Sequence, residues 1–336
     1  MNRGLLPGAV QGSITSGVGA NAGAQGVAVG ALANAGPGVA VGYAAALTAD
    51  ATKAVAVGNG AVAGTLSTAM GHGATAVGTA AWPAANGVAV GQGANANGNY
   101  NIAIGTGANA GSTQNSIVIG AFASCTSAGN VLIGYSISGA ATSNVAIGQQ
   151  AGVSTSSVAI GYLAGNSSMT NGVAVGFQAS AGTTGQYNVS LGYLAGGSTN
   201  WVNTGTRNTH IGAQAGQNST TQRNDAVSLG YQAVVDGNNA IAIGSGVLAG
   251  AAGAVAIGKD NANTSASTTT ANEIKLGTAL HTVYAGKDIR TSDPNGASTA
   301  GKWMLGKRVV AAAALDTAGY IEVNVDGAVY KLALAA

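Results

Sequence analysis

Residues 143–161 read SNVAIGQQAGVSTSSVAIG. Two copies of one unit fill this stretch: a polar residue, a three-residue segment of large–small–large apolar side chains, and a glycine, at Val145-Ala146-Ile147-Gly148 and Val158-Ala159-Ile160-Gly161. Alternation over three residues has the period of a strand, not of a helix. The unit recurs almost end to end. With the closing glycine as the mark, it returns at Gly30, Gly42, Gly58, Gly78, Gly91, Gly105, Gly120, Gly134, Gly148, Gly161, Gly176, Gly192, Gly212, Gly230, Gly244, Gly258 and Gly277, and eleven of the sixteen gaps are 13–16 residues. That spacing is too short for helical repeats or propeller blades and suits a two-strand solenoid rung.

The glycine marks a corner, since a chain that turns after three or four strand residues needs a position free of Cβ. Three residues further on stands alanine in most units, including Ala33, Ala108, Ala123, Ala151, Ala164 and Ala233, which implies a second, thinner strand. Stacked rungs put each triplet about 4.8 Å above the last and bond strand to strand along the stack. Seventeen such rungs make a rod about 80 Å long. On this reading the Val/Ile pairs form the core of the roll. The middle residues, Ala103, Ala146, Ala159 and Ala174 among them, point to the opposite face, and an alanine-rich outer face is suited to close contact with another copy. A homo-oligomer with that face turned inward is the expectation.

The units NVAIG, SVAIG, GVAVG and AIAIG, each followed by two variable residues and a small one, resemble the head repeats of YadA-like trimeric adhesins, which also occur in bacteriophage tail fibres. The resemblance covers about three quarters of the chain, from Gly26 to Gly277. It implies a homotrimer of left-handed parallel β-rolls packed around a common axis, which joins the all-β reading of rungs of about 14 residues. Departures at Thr65 to Trp82 and Gly196 to Asn224 are expected to form longer loops or broken rungs.

Composition bounds the function. Charged residues are 7% of the 336, none lies between Lys53 and Arg207, and the net charge is +2. No basic stripe with interleaved aromatics is visible, so nucleic acid is not an expected partner. The 56 glycines lack a three-residue period, which excludes collagen. The single cysteine, Cys125, falls on a repeat position and reads as a buried thiol. Neither a signal-peptide core nor a 20-residue apolar span is present, so membrane insertion is not expected. A virion protein made in the host cytoplasm fits better than a secreted bacterial adhesin.

Four regions follow: a docking or lead-in segment at 1–20, which frays or joins a larger particle; the roll at 21–262; a neck at 263–294, where charge gathers; and a hairpin domain at 295–336. In the last, Tyr320 to Val325 and Ala328 to Leu334 alternate on either side of Asp326-Gly327, a two-residue turn. A W-x-L-G element at Trp303 to Gly306 precedes it and resembles short C-terminal modules of phage structural proteins.

Two features ride on the roll. The residue after the marking glycine is aromatic in six rungs, Tyr43, Tyr135, Tyr162, Phe177, Tyr193 and Tyr231, half of the twelve Tyr and Phe in the chain. This row is either a sugar-binding face or structural packing at a corner or an oligomer interface. The insertion GGSTNWVNTGTRNTH between Gly192 and Gly212 carries Trp201, Arg207, Asn208 and His210, the most varied side chains on the roll and the leading candidates for receptor contact; Trp82 is the next. For both tryptophans the alternative is packing over the roll.

Catalytic chemistry is not indicated. Paired carboxylates are missing except for Asp225 and Asp236, one rung apart. His72, His210 and His281 have no metal-ligand spacing, and the glycine-rich stretches lead into strands rather than helices. No enzyme activity and no cofactor or metal are expected. The function that fits is a tail fibre or receptor-binding protein. Its partners are itself, other virion proteins reached through the N- or C-terminal segment, and a host surface glycan or protein. A capsid head fibre or decoration protein is the alternative, and a bacterial trimeric surface adhesin a more distant one.

Overall fold

The triplets form strands, and glycine ends each of them. In the computed structural model, which describes residues 12–49, 51–77, 86–111, 114–139, 141–165, 169–180, 185–197, 205–216, 223–280, 320–325 and 328–333, every regular element is a strand. Eighteen triplets, from Ile14–Ser16 to Ile274–Leu276, stack into one parallel sheet. Register is kept residue for residue, as in Val145↔Val158, Ala146↔Ala159 and Ile147↔Ile160. The fold is a parallel β-solenoid. Short two-residue strands such as Asn34–Ala35, Val62–Ala63, Ser138–Gly139 and Leu248–Ala249 form the thinner second wall, beginning four residues after each glycine.

The marking glycines are required twice over. Gly148 has φ +130°, and a β-carbon there would stand 2.4 Å from the carbonyl oxygen of Gly161 in the next rung. Two residues later the chain turns through the left-handed region, at Gln150 with φ 54° or Leu163 with φ 52°. A second left-handed corner precedes the strand, as at Ser143 with φ 61°.

The direction of the side chains reverses the expectation. The middle alanines face inward and are fully buried, as at Ala103, Ala146, Ala159 and Ala174, whereas the flanking Val and Ile are half-buried or exposed. The reason is the width of the roll. A three-residue strand followed by a tight corner brings the two walls so close that alanine meets alanine, and the larger pair is left on the outside. Volume is balanced locally where a larger residue does enter. Leu132 faces Gly139, whose added β-carbon would lie 3.2 Å from both Leu132 δ-carbons, as close packing demands.

Other boundaries also move. Ile14–Ser16 pairs with Val27–Val29 as a regular rung, so the roll begins inside the stretch expected as a lead-in. Thr68–Met70 pairs on both sides, with Val55–Val57 and Val88–Val90. The marking glycine of that rung is therefore Gly71, φ +134°, rather than Gly78, and the long rung runs from Gly71 to Gly91. At the other end Ile274–Leu276 extends the sheet from Val255–Ile257, into the stretch expected as a neck.

Residues up to Val283 form one unit and those from Tyr284 a second. In the second, Tyr320–Val325 and Ala328–Ala333 pair antiparallel with Val325 opposite Ala328, the two-residue hairpin read from the alternation. The W-x-L-G element lies outside the described residues.

Inside the first wall runs a column that the sequence reading passed over. In several rungs the residue before the triplet is polar, points inward and is buried, as at Asn101, Ser116, Asn130, Asn144, Ser157, Asn188 and Asn208. Its side-chain oxygen accepts the backbone N–H of its counterpart one rung on: Ser116 to Asn101 at 3.0 Å, Asn144 to Asn130 at 3.1 Å, Ser157 to Asn144 at 3.0 Å, and Asn208 to Asn188 at 2.8 Å. Buried amides are thereby satisfied where the sheet ladder has ended.

Candidate functional site

The corner after the marking glycine is held by a backbone ladder. Gln178 N–H bonds Tyr162 O, Leu194 N–H bonds Phe177 O, Gln214 N–H bonds Tyr193 O, Gln232 N–H bonds Ala213 O, and Gly246 N–H bonds Tyr231 O, at 2.7–2.9 Å. Each side chain at this corner therefore stands directly over the one a rung below. Three consecutive aromatics stack in consequence: Tyr162 on Phe177 with ring centroids 5.2 Å apart, and Phe177 on Tyr193 at 5.4 Å, both near parallel at 20°. Tyr135 meets Phe122 edge to face at 6.1 Å. Phe122 sits two residues after its glycine, so counting only the first position missed it.

All six members of the row are solvent-accessible, from 39% for Tyr162 to 55% for Tyr43. In the triple stack the inward ring faces are taken by neighbours, which is the packing reading. Tyr43 and Tyr231 stand between rungs with small residues at this corner, Ala31 and Asn59 around the first, Ala213 and Ser245 around the second. Beside Gln232 opens a shallow concavity of about 420 Å³ lined by Gln232, Val234, Asp236, Gly246 and Leu248. Gln232 Nε2 donates to Gln214 Oε1 on the adjoining rung at 2.9 Å.

The residues proposed for receptor contact divide. Trp201 and Trp82 lie outside the described residues. Arg207 is exposed at the corner before its strand and grips Asp225 one rung on through two bonds, Nε to Oδ1 at 2.6 Å and Nη2 to Oδ2 at 2.8 Å. That pairing holds the Asp225 carboxyl below its ordinary range. Asn208 and His210 are corrected: both are buried, at 0% and 1% exposure, and neither belongs to a loop. Counting back from Gly212 would have placed them. His210 is the centre of the triplet Thr209–Ile211, where other rungs have alanine, and Asn208 is a member of the inner column.

Around His210 the core turns polar. Ser190 and Ser228 fill the same central position in the adjoining rungs. His210 Nδ1 shares a 2.7 Å hydrogen bond with Ser228 Oγ, and the ring occupies the place a β-carbon on Gly216 would need. Arg223, 1% exposed, bonds the Val235 carbonyl through Nη1, and its own carbonyl accepts from Asn208 Nδ2 at 2.7 Å. Burial, and then the charge of Arg223, lowers the His210 pKa to about 3. Burial also lowers that of Arg223 to about 10, against the opposing pull of Asp236.

Asp225 is committed to Arg207 and Asp236 acts on Arg223, so the two carboxylates have different charge partners. Among the described residues no group of three or more His, Cys, Asp or Glu gathers to hold a metal, and no helix is long and apolar enough to cross a membrane. Cys125 is buried, with its thiol pKa raised by that burial. Compared with models of known protein families and with curated protein sequences, the chain matches none.

Proposed function

We propose that this chain is a bacteriophage virion fibre protein, a non-enzymatic homotrimer of left-handed rolls that attaches the particle to the host cell surface. One observation carries the reading. The outer face of the main sheet is a stripe of paired apolar side chains, mostly Val and Ile with Thr68 and Met70 on one rung, half-buried or exposed in a single chain, in a region without a charge between Lys53 and Arg207. Apolar stripes of this extent mark contact surfaces, and no charged side chain, the usual guard of an exposed surface, interrupts it. Eighteen rungs at strand spacing give a shaft about 80 Å long. The complement of so regular a stripe is a second stripe of equal period, which three parallel copies supply.

The resemblance of the NVAIG-type units to YadA-like repeats in phage fibres supports a copy number of three and a virion setting. Its terminal segments join the fibre to other virion proteins. Trp201, Trp82 and Arg207 remain the proposed receptor contacts on the shaft. Weak contacts gain from three copies in each fibre and several fibres in each particle.

Immunogold labelling of intact particles with antibody to this protein tests the assignment. Gold at the tail is the expected result. Gold over the head overturns host attachment in favour of capsid decoration, and unlabelled particles overturn the virion setting itself.

A further inference from the structure

We propose that Tyr193 and Tyr231, with Ala213 between them, form a slot that clamps one neutral pyranose ring of a glycan. The proposal takes its partner class from the receptor-binding reading above. Its geometry comes from the corner ladder. Adjacent rungs bring aromatic rings to 5.2 and 5.4 Å, in direct stacking contact. Tyr193 and Tyr231 occupy the same corner two rungs apart, so about 10 Å separates them.

The rung between them carries only a methyl group, so Ala213 leaves that space open. A planar aromatic guest fills about 7 Å between two rings; a puckered saturated ring, with a van der Waals contact near 4 Å on each side, fills about 8 Å, closer to this gap, and rotation of the exposed tyrosine side chains closes the remainder. The other two-rung pair at this corner, Tyr135 and Tyr162, has Gln149 on the intervening rung, whose longer side chain takes up the same space.

The rim supplies hydrogen bonds of the kind a sugar needs. Gln214 and Gln232 follow Ala213 and Tyr231 in the chain and lie side by side, joined at 2.9 Å, with further donor and acceptor capacity on each amide. The concavity that begins at Gln232 is lined further by Val234, Gly246 and Leu248. Charge is balanced nearby: Arg207 and Asp225 neutralise each other at the opposite corner of these rungs. A neutral ring therefore fits better than a uronic or sialic acid. Tyr193 and Tyr231 are 51% and 53% exposed; Phe177 covers one face of the Tyr193 ring, and the other is turned toward Ala213.

The experiment is saturation-transfer NMR on the full chain with neutral disaccharides of glucose, galactose and N-acetylglucosamine, and with sialyllactose as the anionic control. Transfer to at least one neutral sugar is expected. Tyr193→Ala or Tyr231→Ala should weaken its binding at least tenfold. Ala213→Tyr is the decisive variant, because it fills the slot with a ring and extends the existing stack. It should abolish binding while thermal unfolding stays at or above that of the parent chain.

No transfer from any neutral sugar, or undiminished binding in Ala213→Tyr, overturns the slot. A preference for sialyllactose overturns it as well. Adsorption of the protein to host cells reads the receptor-binding function separately: a chain that adsorbs but takes up no sugar sinks the slot alone, and a chain that binds sugar but does not adsorb sinks the host-attachment reading.

Discussion

Gly148 shows how closely a single position is constrained. Its φ of +130° is rare for any residue with a β-carbon, and the Gly161 carbonyl oxygen already occupies the space 2.4 Å from where that carbon would go. Gly148→Ala should therefore cost at least about 3 kcal/mol, combining backbone strain with displacement of the next rung. A shift in the urea midpoint measures it, and an unchanged midpoint would refute the double constraint. His210 makes a different demand. Its pKa falls from 6.5 in the unfolded chain to about 3 in the roll, so between these values the unfolded state binds a proton that the folded state refuses. Stability contributed by the neutral ring is complete above pH 6.5 and is lost as pH falls toward about 3, at up to about 1.4 kcal/mol per pH unit. The groups around the ring are Arg223, whose charge deepens the effect, and the hydroxyls of Ser190 and Ser228. His210→Gln should flatten the fall in urea midpoint between pH 7 and pH 4, and equal slopes in the two proteins would show that His210 does not govern it.

Within one rung the inner column sets the requirement. Asn144 accepts the Ser157 N–H at 3.0 Å and donates to the Ala141 carbonyl at 2.8 Å. Asn144→Ala leaves a buried donor and a buried acceptor short of a partner, a loss of about 2–4 kcal/mol. Asn144→Ser should lose less than half of that, because Ser116 and Ser157 already fill this position and accept the next N–H at 3.3 Å. Chemical denaturation of the two variants checks the order, and equal losses would remove the column from the account. The polar residue was visible in the units that carry one, such as those of Asn130, Asn144 and Ser157; its direction was not. Alternation shows that Val and Ala point to opposite faces, but which face is inside depends on the width of the roll, and that is set by corners whose left-handed residues, such as Gln150 and Leu163, carry no obvious signature. Strand, glycine corner, second wall and hairpin were therefore legible. The inside and outside were exchanged, and His210 was assigned to a loop because its rung replaces the usual alanine. The aromatic row was legible as a row, whereas the stacking of Tyr162, Phe177 and Tyr193 and the gap over Ala213 follow from rung-by-rung register.

Across the whole roll, the exchange of inside and outside strengthens the case for self-association while moving its surface. An alanine core satisfies itself within one chain. The Val/Ile stripe does not, and it runs from the first rungs to the last with side chains such as Ile104, Ile133 and Ile160 each 37% exposed. If three copies share this stripe, a pair of charges at its centre should separate them without unfolding the roll, because neither side chain contributes to the core of its own chain. Val145→Asp/Ile147→Asp is the variant, placed at a regular rung paired on both sides. Light scattering coupled to gel filtration should give three times the chain mass of 31.9 kDa for the parent, and a smaller assembly for the variant with an unchanged β-sheet circular dichroism spectrum. A parent that elutes as a single chain would remove the trimer. A variant that keeps the parent's mass would place the contact on another face, and the most exposed remaining apolar feature is the aromatic corner, where association would also close the slot over Ala213 and abolish sugar binding.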